Sequence, residues 1–482
     1  MKHTYTLLLA LLCHVHAAFG QKWISQSFSI QTTADVAYGK AVDFAGNERS
    51  LLMDITVPTD DAPPSCGRPL MVVVHGGGFL GGSKGDAGVR RMMKEFAQRG
   101  YVTASVDYRL GMFQTPNEVH CNVTQLFNFP WDCLNMADTA EWYRGAYRAM
   151  QDARGATRYL INHRDEYNID PDNVFLVGES AGAFTVLMMG YLDDPGEKPI
   201  QASALPNALP PNKIYEQTCI QKAQWDTTIA SMKLARPDLG PIEGTLNLPS
   251  RPHTIRAVGA FYGAVFGDLL AVNASPSLPA LYMYHQPNDL VVPFNQGRVF
   301  QGISNCLQGF PGFCSSIINR PWVYGSKAIK THVEALKSAG KPAPDYLFDQ
   351  TSNQTDCAGQ IANTSLTGHA IDNFAIRTFS MAYFFAPRVK SCTSASHEVP
   401  ALPFLISPNP VQERLTVVYS GADNLLSASL TDLTGRVVLQ QTAFAAGPQT
   451  WDWEMPAYLP AGMYALSLVT DRGVFTQVLE LQ

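Results

Sequence analysis

Residues 169–183 read IDPDNVFLVGESAGA. Val174–Val177 is a continuous apolar run rich in β-branched and aromatic residues, the composition of a strand covered on both faces. Gly178-Glu179-Ser180-Ala181-Gly182 follows it, and then the apolar stretch Ala183–Met189. Strand, G-x-S-x-G and helix in succession form the context in which a serine is lifted onto a sharp turn above a sheet. Such a turn admits only small flanking residues, which Gly178 and Gly182 supply. The helix start behind the serine favours negative charge developing there. Ser180 is therefore the candidate nucleophile.

Outward from this turn the pattern repeats. Pro69–Val74 (PLMVVV), Tyr101–Val106, Ala257–Tyr262 and Ala280–Tyr284 are further apolar runs, and helical stretches such as Val89–Arg99 and Arg144–His163 lie between them. Tyr147, Met150, Ala153, Ala156 and Leu160 recur at helical spacing. Alternating strands and helices predict a doubly wound, mostly parallel α/β sheet, with ligands bound beyond the carboxyl ends of the strands. After PLMVVV comes His75-Gly76-Gly77-Gly78-Phe79. Consecutive glycines let a backbone approach a substrate closely, with N–H groups free to face an oxyanion. Gly76 and Gly77, with the N–H of Ala181, are the expected oxyanion hole, and His75 is expected to brace the loop. The triad order on such a sheet is Ser, then acid, then His. His369, in Thr367-Gly368-His369-Ala370-Ile371 ahead of the apolar-periodic Phe374–Phe385, suits the base. His332 falls inside the helical stretch Ser326–Ser338.

HGGGF, Asp107–Leu110 (DYRL), residues 151–160 (QDARGATRYL), IDPDNVFLVGESAGA and Gly368-His369 together resemble the α/β-hydrolase esterases, the carboxylesterase and lipase group that carries an HGGG loop. The resemblance covers most of residues 41–376. It implies an α/β-hydrolase fold and a serine ester hydrolase working through an acyl-enzyme, with no metal or organic cofactor; secretion is expected from the flanking segments. Esterases of this group often carry His-Gly-x-x-Asp-x-x-Val-Pro after a strand. Here His285-Gln286-Pro287-Asn288-Asp289-Leu290-Val291-Val292-Pro293 stands in that place, with Gln286 for the glycine. Asp289 is accordingly the expected triad acid, Asp268 its alternative, and His285 is expected only to help turn the loop. The stretches Met112–Trp142 and Leu192–His253 leave the pattern where cap segments usually insert, and are expected to shape the pocket. Substrates would be short-chain, feruloyl or acetyl plant-wall, or lipid esters. A peptidase of the same fold and a non-enzymatic surface binding protein are the alternatives.

The flanks address export. Residues 1–20 read MKHTYTLLLALLCHVHAAFG, with Lys2 before the apolar run Leu7–Leu12 and small residues before Gln21, a secretory signal-peptide pattern. Its apolar run is too short to span a bilayer. Cys13 lies in this segment; the other eight of the nine cysteines all precede residue 393. In an oxidising compartment an even count predicts disulfides, with Cys121/Cys133 and Cys306/Cys314 the local candidates. Near residue 400 the composition changes to short period-two runs punctuated by Gly, Pro and Asn, the signature of a small β-sandwich. Ser407-Pro408-Asn409-Pro410, Leu433-Thr434-Gly435-Arg436-Val437 and Leu459-Pro460-Ala461-Gly462-Met463-Tyr464 resemble, in that order, the C-terminal sorting domain of the type IX secretion system of Bacteroidetes. The expected organisation is a signal peptide over 1–20, a catalytic domain over 21–396 and a sorting domain over 397–482, with a linker near Thr393–Ala401. That resemblance implies the secretion machinery as a partner and delivery outside the cell or to its outer surface. The 46% apolar content is ample for a core, which excludes a disordered chain. The net charge of -6 shows none of the basic excess of a nucleic-acid binder.

Overall fold

The computed structural model describes residues 23–113, 138–208, 235–269, 278–306, 320–351 and 368–391 and, further on, residues 404–482 apart from 420–423, 433–435, 446 and 472–473. Two compact units divide the chain, Met1–Cys392 and Thr393–Gln482. The first is built on β1 (Ile30–Val42), β2 (Glu48–Pro58), β3 (Arg68–Val74), β4 (Val102–Val106), β5 (Ile169–Glu179), β6 (Ile255–Phe261), β8 (Ala280–His285) and β11 (Tyr346–Gln350). These join in the order β1-β2-β4-β3-β5-β6-β8-β11. The β1–β2 and β2–β4 pairs are antiparallel and every later pair is parallel. The fold is that of the α/β-hydrolases, with Ser180 just past the carboxyl end of β5.

Alternation along the central strands explains why both faces are covered. Leu70, Val72 and Val74 of β3, with Val174 and Leu176 of β5, face one core, while Met71, Val73, Phe175 and Val177 face another. The first core receives α2 (Thr139–Asn162) and α3 (Ala181–Tyr191); the second receives α1 (Ala87–Ala97) and α5 (Phe374–Phe385). Continuous apolar runs are what a strand needs when neither face meets water. β1 was not anticipated, since it begins at Ile30, ahead of the alternating region. Most of its residues are exposed, so it carries no buried stripe to read.

A smaller antiparallel sheet of β7 (Ala264–Phe266), β10 (Trp322–Gly325) and β9 (Gln296–Arg298) precedes α4 (Ser326–Ser338). Helix α2 also has polar work. Arg144 donates to the carbonyls of Gln201, Ser203 and Pro237, Gln151 to those of Leu239 and Pro241, and Arg158 to that of Leu246. This row holds the extended segment around 237–246 against the helix and satisfies carbonyls that have no ladder of their own. Within the expected loop Met112–Trp142, Phe113 and Trp142 are buried in the core; residues 114–137, with Phe127, Phe129 and Trp131, lie outside the described residues, as do 209–234. Cys66 is disulfide-bonded. Both local pairs expected from the sequence lie outside the residues whose side chains are described, as do residues 1–22 and the expected linker.

The second unit has its own apolar core, packed between two sheets. β12 (Phe404–Ser407), β13 (Arg414–Tyr419) and β16 (Gln449–Glu454) form one, and β15 (Val437–Gln441), β14 (Leu425–Thr431), β17 (Gly462–Thr470) and β18 (Val474–Leu481) the other. Leu415 and Val417 from one sheet meet Leu430, Leu466 and Leu468 from the other. Trp453 belongs to this core, and Trp451 packs against it and against Phe444. Two residues apart on one strand, the tryptophans share a face. Here that face is the inner one.

Candidate active site

The turn after β5 forces Ser180 into an unusual backbone conformation, φ 52° and ψ -122°. A non-glycine residue with positive φ costs about 1–3 kcal/mol and persists only where its surroundings hold it. Two features hold it here. The Ser180 N–H donates to the Phe261 carbonyl at 3.0 Å, and Gly182 lies so close to β3 that a β-carbon would fall on the Val74 carbonyl oxygen. The elbow is thus wedged between β3 and β6, with Ser180 at the N-terminus of α3.

The structure brings together the three residues expected from widely separated sequence. The Ser180 hydroxyl lies 2.8 Å from His369 Nε2, and His369 Nδ1 lies 2.7 Å from Asp289 Oδ2. Asp289 sits in the loop after β8, and His369 in a turn just ahead of α5. Asp289 is held tightly. Its Oδ1 accepts from the N–H groups of Val291 and Val292 at 2.8 and 3.0 Å. Burial alone would raise its carboxyl, but the charge of His369 and hydrogen bonds from His285 and His369 prevail and hold it below the ordinary value. The alternative acid, Asp268, has no described side chain.

The glycine loop lies beside the nucleophile. Gly77 has φ +108°, and a β-carbon there would strike the Gly81 carbonyl. Among the described residues, no backbone–backbone hydrogen bond uses the N–H of Gly77 or Ala181. A β-carbon at Gly76 would lie 3.1 Å from the Ser180 β-carbon and 3.2 Å from the Glu179 carbonyl oxygen, because the loop folds directly over the elbow. His75 does brace the loop. It is fully buried and stacked on Tyr108 with ring centroids 4.3 Å apart, and the Tyr108 hydroxyl bonds the carbonyls of His75 and Gly76.

Sequence reading missed four contributors. Glu179 accepts from the Tyr262 hydroxyl at 2.8 Å, and burial pushes its carboxyl up despite that bond and the nearby His369. Tyr262, at φ 40°, also sets its ring 4.4 Å from that of His369. Gln286, which replaces the expected glycine, donates to the Ala370 carbonyl at 2.8 Å and so ties the acid's loop to the base's loop. His285 does more than turn a chain, because its Nε2 lies 3.1 Å from Asp289 Oδ2. Only Gln286 left a local signal, as a departure from an expected glycine. His332, also considered, sits on α4 lining an apolar cavity with Leu187, Tyr191 and Val333, away from the triad. Among the described residues, no group of three or more His, Cys, Asp or Glu is placed to hold a metal.

Comparison with known proteins agrees with this architecture. Residues 53–121 and 138–217 match the BD-FAE family, and residues 405–479 match the secretion system C-terminal sorting domain. Part of the first unit thus matches an esterase family model, and most of the second matches a secretion-system sorting domain. One relative is a protein of Oryza sativa subsp. japonica named "Probable isoprenylcysteine alpha-carbonyl methylesterase", 27% identical over 36% of this chain and 32% of its own length. A carboxylesterase of Aspergillus clavatus is 24% identical over 40% of this chain and 33% of its own. The chain thus spans about a third of the length of each. Among solved structures, esterase 2 of Thermogutta terrifontis covers 74% of this chain and 94% of its own at 17% identity, with a TM-score of 0.37.

Proposed function

We propose that the first unit is a serine carboxylic-ester hydrolase with Ser180 as nucleophile, His369 as general base and acid, and Asp289 as the group that orients His369. The observation that carries this is the unbroken row Ser180 Oγ–His369 Nε2 and His369 Nδ1–Asp289 Oδ2, at 2.8 and 2.7 Å. His369 Nε2 takes the Ser180 proton as Oγ attacks an ester carbonyl. The tetrahedral oxyanion is received by the N–H groups of Gly76, Gly77 and Ala181. Each such donor is worth about 10²–10³ in rate. His369 then protonates the leaving alcohol, and water repeats the cycle on the acyl-enzyme. The matched esterase family and the carboxylesterase relative support esters as the substrates. Short-chain, feruloyl or acetyl plant-wall, and lipid esters form the panel to examine.

The sorting-domain match supports export of the chain through the type IX machinery to the cell surface or beyond. Among the described residues no helix is long and apolar enough to cross a membrane. In that setting the remaining cysteines pair as disulfides, as Cys66 does.

A fluorophosphonate probe should label wild type and leave Ser180→Ala unlabelled, with hydrolysis of p-nitrophenyl acetate lost in parallel. Full hydrolysis by Ser180→Ala would overturn the assignment. Deleting 397–482 should leave the chain in the periplasm of a host with type IX secretion, and normal release would refute the sorting role.

A further inference from the structure

His285 closes β8 and is fully buried. Its ring makes three polar contacts. Nε2 lies 3.1 Å from Asp289 Oδ2 and 3.2 Å from the Val292 carbonyl, and Nδ1 lies 3.0 Å from Ser326 Oγ. Both partners of Nε2 are acceptors, so Nε2 carries the proton. Nδ1 is then an acceptor and the Ser326 hydroxyl donates to it. The ring needs no charge to do this. Phe294 meets it edge-on, with centroids 5.5 Å apart at 84°. Ser326, itself buried, reaches the ring because α4 starts hard against the acid's loop. A β-carbon at Gly325 would fall on the Pro293 carbonyl, and the Lys327 N–H donates to the Phe294 carbonyl at 3.0 Å.

We propose that His285 is a fixed second imidazole donor to Asp289, a positioning residue that sets how strongly the carboxylate holds His369. The proposal rests on the serine-hydrolase reading above. Asp289 Oδ1 is occupied by Val291 and Val292, and Oδ2 is shared between His285 and His369. Two N–H donors on one oxygen divide its negative charge. With His285 present, His369 receives only part of the carboxylate's pull. Without it, Asp289 turns its whole Oδ2 charge on His369 and favours the imidazolium, which cannot accept the Ser180 proton. Among the described residues, the other ionisable groups near this row are Glu179, with Asp86 acting on it, and Tyr262 beside His369, and Tyr284 on β8, whose hydroxyl bonds Asp372. None is altered by changing His285, so a moved titration reports the His285–Asp289 bond.

The test uses the full chain as wild type, His285→Phe and His285→Gln. Gln is the conservative variant, since its amide nitrogen can stand where Nε2 stands. Measure kcat/KM for p-nitrophenyl acetate from pH 5 to 9, together with fluorophosphonate labelling and the thermal midpoint. In His285→Phe the acid limb should move up by on the order of half a pH unit, so that its deficit grows as pH falls, and His285→Gln should return the limb to the wild-type position. A His285→Phe profile that is wild type scaled by one factor at every pH would overturn the proposal, as would the same shift in His285→Gln. If His285→Phe lacks a cooperative thermal transition, His285→Met carries the same comparison with less rigid bulk. Wild type that neither labels nor hydrolyses would instead overturn the serine-hydrolase reading, and this proposal with it.

Discussion

Replacing Asp289 by Asn changes one atom, and the structure dictates which way the amide must sit. Oδ1 accepts two backbone N–H groups, from Val291 and Val292. An amide NH₂ placed there would face two donors, so the carbonyl oxygen keeps that site and the NH₂ takes the place of Oδ2. It then faces the N–H groups of both His285 and His369, but an imidazole, unlike a backbone amide, can shift its proton to the other ring nitrogen, so the NH₂ donates towards His369 Nδ1 and that ring carries its hydrogen on Nε2 instead. That hydrogen points at Ser180 Oγ, now 2.8 Å from a donor where an acceptor is required. His369 can no longer take the serine proton. The equivalent tautomer error in the Ser-His-Asp proteases lowers kcat by about 10⁴, or about 5 kcal/mol of transition-state stabilisation at 1.36 kcal/mol per tenfold. The amide cannot escape by flipping, so a loss of that order is expected for Asp289→Asn. The assay is kcat for p-nitrophenyl acetate at pH 7, with the thermal midpoint confirming that the variant is folded. A loss smaller than tenfold in a folded variant would refute the argument from amide orientation.

Two further outcomes follow from the site. Gly182→Ala puts a methyl group against the Val74 carbonyl, backbone that has no rotamer to yield, so urea unfolding should show a loss of at least the ~1–3 kcal/mol typical of overpacking; an unchanged midpoint would contradict the packing of the elbow. Burial raises the Glu179 carboxyl, so the folded chain holds its proton above the pH at which the unfolded chain releases it. Glu179 therefore subtracts nothing below the ordinary carboxyl range and subtracts progressively as pH rises through its folded value. Glu179→Gln should raise the thermal midpoint at pH 8 and change it little at pH 4, and a lower midpoint at pH 8 would show that hydrogen bonding, rather than desolvation, governs this residue.

What the sequence disclosed follows from how far each interaction reaches along the chain. The helices expected at 326–338 and 374–385 form over those residues, because apolar spacing within a few turns is local information. Ser180 was legible for the same reason, since strand, tight turn and helix are contiguous. Asp289 and His369 were expected from short motifs whose order on the sheet is constrained, and the structure brings them into a row with Ser180. The supporting residues work by another logic. Ser326 meets His285 across 41 positions, and Tyr262 meets Glu179 across 83. Each belongs to an element formed for its own packing reasons, and only sheet topology delivers one to the other. β10 runs into α4 beside the loop after β8, and β6 ends beside β5. A histidine four residues before the proposed catalytic acid looks in sequence like turn punctuation. It becomes a second donor to that acid only when the loop folds back and a helix start seals its other nitrogen. The residues proposed to carry out chemistry are therefore the easier ones to single out in one sequence. Those that tune it are specified by tertiary approach, which is why Gln286, a visible departure from an expected glycine, was the one supporting residue that left a trace.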